Sequence, residues 1–235
     1  YHEVLIESPK HNTCPGLESA VEVSLMLEAF KIRGREITQD QRIEQVIYFK
    51  NHGDGAGTSL SHPHTQLIGL PIVPYNIRAR TEEARRYFDD TGRCVYCSML
   101  SDELNDAQRL VTKSKYFVSF VPYAALSPFH IWILPRRHES NFLNATAHEL
   151  ADLGALLQRV LGKLYVGLRD PDYNYVIRSA PVHDLGPDYL HWYVTIIPRV
   201  TRSAGFELGS GMFINVALPE TSAAFLRAVD ENSNP

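Results

Sequence analysis

Groups able to do phosphorus chemistry are concentrated between Asn51 and Pro74. Gly53, Gly55 and Gly57, with the small hydroxyl residues Thr58, Ser59 and Ser61, lead into an apolar run carrying His62, His64 and Gln66. If that run is a strand, alternate residues share one face, so two imidazoles and an amide project together beside the loop. Glycines let backbone N–H groups come close to an anion, and an imidazole next to a bound phosphate is a candidate nucleophile. Each feature also has a plainer reading: His64 as a hydrogen-bonded core histidine, the glycines as a tight turn, and His62 as a structural hydrogen-bond partner.

A second constellation is compatible with metal. Cys94-Val95-Tyr96-Cys97 precedes Pro135-Arg136-Arg137-His138 and then His191-Trp192-Tyr193. Cys94, Cys97, His138 and His191 make a Cys₂His₂ set, the closed four-ligand composition that structural zinc prefers, although the wide spacing of the histidines weakens the pattern. The interval from His138 to His191 nearly equals that from His11, in Pro9-Lys10-His11, to His62. Each interval holds a helical pattern, and each is followed by an apolar strand ending in proline (Leu67 to Pro71, Ile196 to Pro198). The chain therefore reads as two copies of one unit, divided into 1–80 and 81–235. His191 corresponds to His62, and Tyr193 to His64. A phenol is a poor substitute for imidazole as a nucleophile at neutral pH, so the second copy is expected to be non-catalytic.

The elements that must position these groups alternate irregularly, which points to α+β with antiparallel sheet and packed helices. Strands are expected over residues 2 to 8, Gln45 to Lys50, His62 to Val73, Arg109 to Lys113, Tyr116 to Pro122, Phe129 to Pro135, Tyr173 to Ser179 and Leu190 to Pro198. Apolar periodicity predicts helices from Leu17 to Phe30, with Val21, Leu25, Leu27 and Phe30 inward and Gly34 as the stop, and from Thr81 to Phe88. The longest helix runs from Thr146 to Leu168, opened by a Thr146/Glu149 capping box and carrying Leu150, Leu153, Leu157, Leu161 and Leu164 on one face. Residues 205–211 read as a second glycine-rich loop, and Pro219-Glu220 opens a terminal helix. His2, His52, His130, His148 and His183 are read as solvent-facing or locally bonded.

The chain of 235 residues, with a formal charge of −4 and three cysteines, is long enough for a sizeable core. It gives no basic signature of nucleic-acid binding and contains no apolar run of transmembrane length. No secretory signal precedes the first strand, and so few cysteines suit a reducing compartment, so a cytoplasmic location is expected. Beginning on a strand without methionine, the chain reads as a segment of something longer.

The order Phe49-Lys50-Asn51, Ala56-Gly57-Thr58-Ser59 and His62-Pro63-His64-Thr65-Gln66 resembles the galactose-1-phosphate uridylyltransferase family of the histidine triad superfamily. The resemblance implies a duplicated histidine-triad-like fold and a nucleophilic His64 that attacks the α-phosphorus of a nucleotide sugar. It implies that Gln66 assists, that Asn51, Gly57 and Ser59 hold phosphates, and that Phe206, Leu208 and Ser210 contact the sugar phosphate, often across a homodimer interface. It further implies zinc at Cys94, Cys97, His138 and His191, and a first zinc at His11 and His62 whose cysteine partners are not in this chain, since Cys14 is solitary. The first unit would then be truncated at its N-terminus. Two pairs present in well-known members are replaced here, by Ser210-Gly211 and by Tyr193 with Thr195. That leaves the hexose and the acceptor open and moves the chain towards ADP-glucose phosphorylase-like members. The expected activity is transfer between a nucleoside diphosphate hexose and a hexose 1-phosphate. The alternatives are a phosphorylase using inorganic phosphate, a hydrolase, and a non-catalytic zinc-stabilised segment.

Overall fold

A computed structural model describes residues 1–184, 186–202 and 204–230. Its strands are β1 (His2–Ile6), β2 (Gln45–His52), β3 (His64–Leu70), β4 (Leu110–Lys113), β5 (Phe117–Phe120), β6 (Ile131–Pro135), β7 (Tyr173–Arg178) and β8 (Tyr193–Pro198). Its helices are α1 (Ala20–Ile37), α2 (Tyr75–Thr91), α3 (Val95–Asp106), α4 (Ala147–Leu168), α5 (Gly205–Ser210) and α6 (Pro219–Ala228). The strands form one eight-stranded antiparallel sheet in the order β1-β3-β2-β7-β8-β6-β5-β4. Matching β1, β2 and β3 with β6, β7 and β8, the first six positions, from edge strand β1 to β6, read the same from either end. This is the arrangement a duplicated unit gives when its copies meet edge to edge. They meet at β2 and β7, where Tyr48 opposes Ile177 and His52 opposes Tyr173.

One face of the sheet is dry. Val46 and Tyr48 of β2, Leu67 of β3, Tyr175 and Ile177 of β7, and Val194 and Ile196 of β8 pack into a single core with α1 and α4. Both helices open with reciprocal caps, Ser19 with Glu22 and Thr146 with Glu149, each satisfying two otherwise orphaned N–H groups. The five leucines expected to line α4 are all buried. In α1 the buried stripe is instead Val23, Met26, Leu27, Phe30, Gly34 and Ile37, while Val21 and Leu25 are exposed.

Gly34 does not stop α1; it lies inside the helix, where a Cβ would come within 2.0 Å of the Tyr48 hydroxyl oxygen. The residue is there for close helix-to-sheet approach. β3 begins two residues later than expected, at His64, and β8 three later, at Tyr193, so His62 and His191 both sit just before a strand. α2 is longer than expected, α3 follows Cys94 directly, and residues 205–210 form a short helix rather than a loop. No described helix is long and apolar enough to cross a membrane.

The crossing of α1 and α4 has no spare room at Gly154, where an added Cβ would lie 2.7 Å from the Ser24 backbone nitrogen. Gly154→Ala is expected to destabilise the fold by about 1–3 kcal/mol through overpacking, despite alanine's better helix propensity, as read from urea unfolding.

Candidate active site

His64 opens β3 and is buried. Its Nδ1 lies 2.9 Å from the backbone carbonyl oxygen of His62. That oxygen can only accept, so Nδ1 carries the proton and Nε2 keeps its lone pair. Nε2 makes no hydrogen bond among the described residues, and it is not one of their fully shielded polar atoms. Exposed Ser59, Leu60 and Ser61 lie three to five residues before His64 in the chain. Two residues along the same face, Gln66 Oε1 lies 2.8 Å from His2 Nε2. When His2 donates, that contact leaves the Gln66 amide N–H groups free.

A buried ion pair underlies His64. Lys50 Nζ donates to both Glu7 carboxylate oxygens at 2.9 and 2.8 Å, and to the His64 carbonyl oxygen at 3.2 Å. Both side chains are almost wholly enclosed. Burial pushes the Glu7 carboxyl above its ordinary range, and Lys50 opposes that shift.

The glycine loop is tied down by residues that sequence reasoning missed. The N–H of Gly55 donates to Asp172 Oδ2. A Cβ on Gly53 would come within 1.7 Å of Asp172 Oδ1, so a side chain there would collide with the carboxylate. Asn174 donates to Asn51 Oδ1 at 2.8 Å and to the Ala56 carbonyl oxygen at 2.9 Å, and accepts from Arg199 Nε at 2.7 Å. The amides of Ala56, Gly57 and Thr58 are taken up by carbonyls of Gly53 and Asp54. Of the loop amides 55–59 expected to face a phosphate, those of 55–58 are already bonded. Gly57, at φ +83°, is the left-handed end of this turn. Asn51 is drawn into the same turn, its Nδ2 donating to the Gly57 carbonyl oxygen at 3.5 Å, while Ser59 is exposed.

The cysteine–histidine set assembles as expected. Cys94 caps α3 and Cys97 lies in its first turn. Cys97 Sγ is 3.3 Å from His138 Nδ1 and 3.4 Å from His191 Nδ1, and ligand atoms of all four residues lie within 4.8 Å of one another. Hydrogen bonds from Cys97, and then from His191, pull the Cys94 thiol down to about 4, and pairing with Cys94 pushes Cys97 up. Two soft sulfurs and two Nδ1 atoms aimed at one point fit a closed tetrahedral metal site. In the first copy, His11 Nδ1 and His62 Nδ1 converge in the same way at 3.0 Å, with His62 Nε2 on the Ser8 carbonyl oxygen at 2.8 Å. Cys14 is buried and its thiol is pushed up to about 11 by that burial.

Phe206, Leu208 and Ser210 lie on α5, where Phe206 and Leu208 are exposed and the Ser210 hydroxyl bonds only locally, donating to the Phe206 carbonyl oxygen. No hydrogen bond or ring contact joins them to His64 among the described residues. His130 is buried rather than solvent-facing, bonded to the Leu126 N–H and the Thr195 hydroxyl, with its imidazole pushed down to about 4 by burial and then by Arg178.

Residues 76–231 match the family described as galactose-1-phosphate uridyl transferase, C-terminal domain. The chain belongs to the galactose-1-phosphate uridylyltransferase family. Residues 2–73 match a second family, described as the DUF4931 N-terminal domain. The chain is 38% identical over 231 residues to a protein of Arabidopsis thaliana named ADP-glucose phosphorylase, a match covering 97% of this chain and 64% of that one. It is 28% identical over 238 residues to a Thermotoga maritima galactose-1-phosphate uridylyltransferase, covering 97% and 74%. It thus spans just under two thirds of the Arabidopsis relative. The crystal structure of an Arabidopsis ADP-glucose phosphorylase with bound ADP-glucose superimposes with a TM-score of 0.91 at 36% identity, over 98% of this chain and 72% of that one.

Removing one partner of the buried ion pair leaves an uncompensated charge. Lys50→Met is expected to cost about 3–5 kcal/mol in denaturant unfolding, and Lys50→Met with Glu7→Gln distinctly less.

Proposed function

We propose that this chain carries a nucleotidyl-transfer site of the uridylyltransferase type, acting on a nucleoside diphosphate sugar through a covalent nucleotidyl-His64. The observation that carries the reading is the Nδ1 hydrogen bond to the His62 carbonyl, which leaves Nε2 as an unbonded lone pair on an accessible edge. Nε2 attacks the α-phosphorus, a P–N bond forms, and the P–O bond to the departing sugar 1-phosphate breaks, its electron pair leaving with that oxygen. In the second half, an acceptor phosphate oxygen attacks the same phosphorus and the P–N electrons return to the imidazole. Gln66 donates to a non-bridging oxygen, while Ser59 and Asn51 hold the flanking phosphates in the line of attack.

The acceptor is a hexose 1-phosphate in the first reading. A phosphorylase, in which inorganic phosphate takes that place and a nucleoside diphosphate is released, is supported by the 38% identity to the relative bearing that name and by the scarcity of sugar-binding side chains at Ser210-Gly211. In both readings Cys94, Cys97, His138 and His191 hold a structural zinc. With four protein ligands and no open position it contributes folding energy, not a reaction step. His11 and His62 hold half of a second zinc site, and α5 contacts sugar phosphate across a homodimer.

Mass spectrometry of the quenched protein after exposure to UDP-glucose or ADP-glucose is expected to show a nucleotidyl adduct that is absent from His64→Ala. An adduct surviving that substitution, or none with either donor, would overturn the reading. Separately, Cys94→Ser is expected to lose one bound zinc by elemental analysis and several degrees of Tm; unchanged zinc content would exclude the four-residue set.

A further inference from the structure

The second copy keeps a cleft where the first has its proposed site. β2 pairs with β3 in a register that sets Phe49 opposite Gln66. Two residues on, the same register sets Asn51 opposite His64. In the second copy the corresponding pair is Arg178 opposite Tyr193. An amide and an imidazole have been replaced by a guanidinium and a phenol, yet the surface is not filled. Gln45, Arg80, Tyr96, Arg178, His191 and Tyr193 are among the residues around a cavity of about 40 Å³, room for a few waters or one small oxyanion.

The charge of this cleft is unbalanced. Arg80 of α2 donates to the Tyr193 hydroxyl at 3.2 Å and otherwise to the Asn76 carbonyl. Neither Arg80 nor Arg178 has a carboxylate within ion-pair distance among the described residues. Arg178 Nε is fully shielded from solvent and has no hydrogen-bond partner. Partial burial, and then Arg80, press the Arg178 guanidinium below its ordinary range, the cost of a half-buried cation without a counter-charge. His191 on the same lining adds another donor or acceptor, because its Nε2 is likewise shielded and unbonded, whereas the equivalent Nε2 of His62 bonds to the Ser8 carbonyl. Two guanidiniums, a phenol and an unbonded imidazole nitrogen around a small cavity form a donor-rich pocket.

We propose that this cleft binds a phosphate-type oxyanion between Arg80 and Arg178, with the Tyr193 hydroxyl as a further donor, at a site separate from His64. The ligand is inorganic phosphate or the phosphate of a phosphomonoester. Its fork-to-oxygen contacts balance the two cations and occupy Arg178 Nε.

Calorimetric titration of the full chain with inorganic phosphate, and separately with glucose 1-phosphate, tests this. Binding is expected to persist in Ser59→Ala and His64→Ala. It is expected to weaken about tenfold or more in both Arg80→Met and Arg178→Met, while nucleotidyl-adduct formation in the Arg80→Met protein stays at the wild-type level. Arg178→Met should be at least as heat-stable as wild type in phosphate-free buffer, because it removes an unbalanced, half-buried charge. The tighter of the two probes identifies which phosphate source the cleft prefers. Absence of binding, or binding that survives both arginine substitutions, or binding lost only with Ser59 or His64, would overturn the proposal.

Discussion

The ammonium of Lys50, sealed between Glu7 and the His64 carbonyl, is the constraint on which the first copy turns. An ion pair taken out of water is tolerated only when each charge has its partners in place. Those partners come from three segments: the residue after β1, the strand β2 and the first residue of β3. Satisfying one ammonium therefore fixes where the edge strand stops, how β2 lies against β3 and where the backbone of His64 sits. The His62 carbonyl then sets the imidazole by a single bond to Nδ1. The proposed nucleophile thus has its backbone anchored from below and its ring from one side, while no hydrogen bond among the described residues holds the far nitrogen.

Duplication gave the fold two such positions and the sequence treated them differently. At the outer ends of the doubled six-strand core, pairs of histidines converge through Nδ1 in both copies, His11 with His62 and His138 with His191. The second pair has Cys94 and Cys97 in reach because α3 begins there. At the following strand positions, His64 and Gln66 became Tyr193 and Thr195, and Thr195 turned to holding buried His130. The doubled architecture therefore persisted while the chemistry of its halves separated.

Much of this was legible in the sequence because local rules dominate there. The capping box at α4, the leucine stripe, the Cys-x-x-Cys and the His-Pro-His motif depend on residues close in sequence, and each lies where expected or within two residues. The misread positions depend on distant partners. Gly34 looks like a helix stop until Tyr48 is seen against it. Val21 and Leu25 fit helical spacing, but the stripe beginning at Val23 meets α4. The glycines of the loop suggest a phosphate cradle, and nothing local reveals that Asp172 occupies the Gly55 amide. Asn174 and Arg199 belong to the opposite copy, so no spacing rule links them to Asn51. α3 and α5 escaped notice because short helices have weak periodicity.

The hold that Asp172 and Asn174 exert on the glycine loop bears on how the molecule comes to be built. Both residues leave the ribosome more than a hundred positions after the loop they secure, so the nascent first unit must wait, with its turn untethered, until β7 has been synthesised and has zipped onto β2. Contacts of such long sequence separation form late in folding. The half that carries His64 can reach its finished shape only as a product of the joined pair, which gives synthesis a built-in order: scaffold first, glycine loop last.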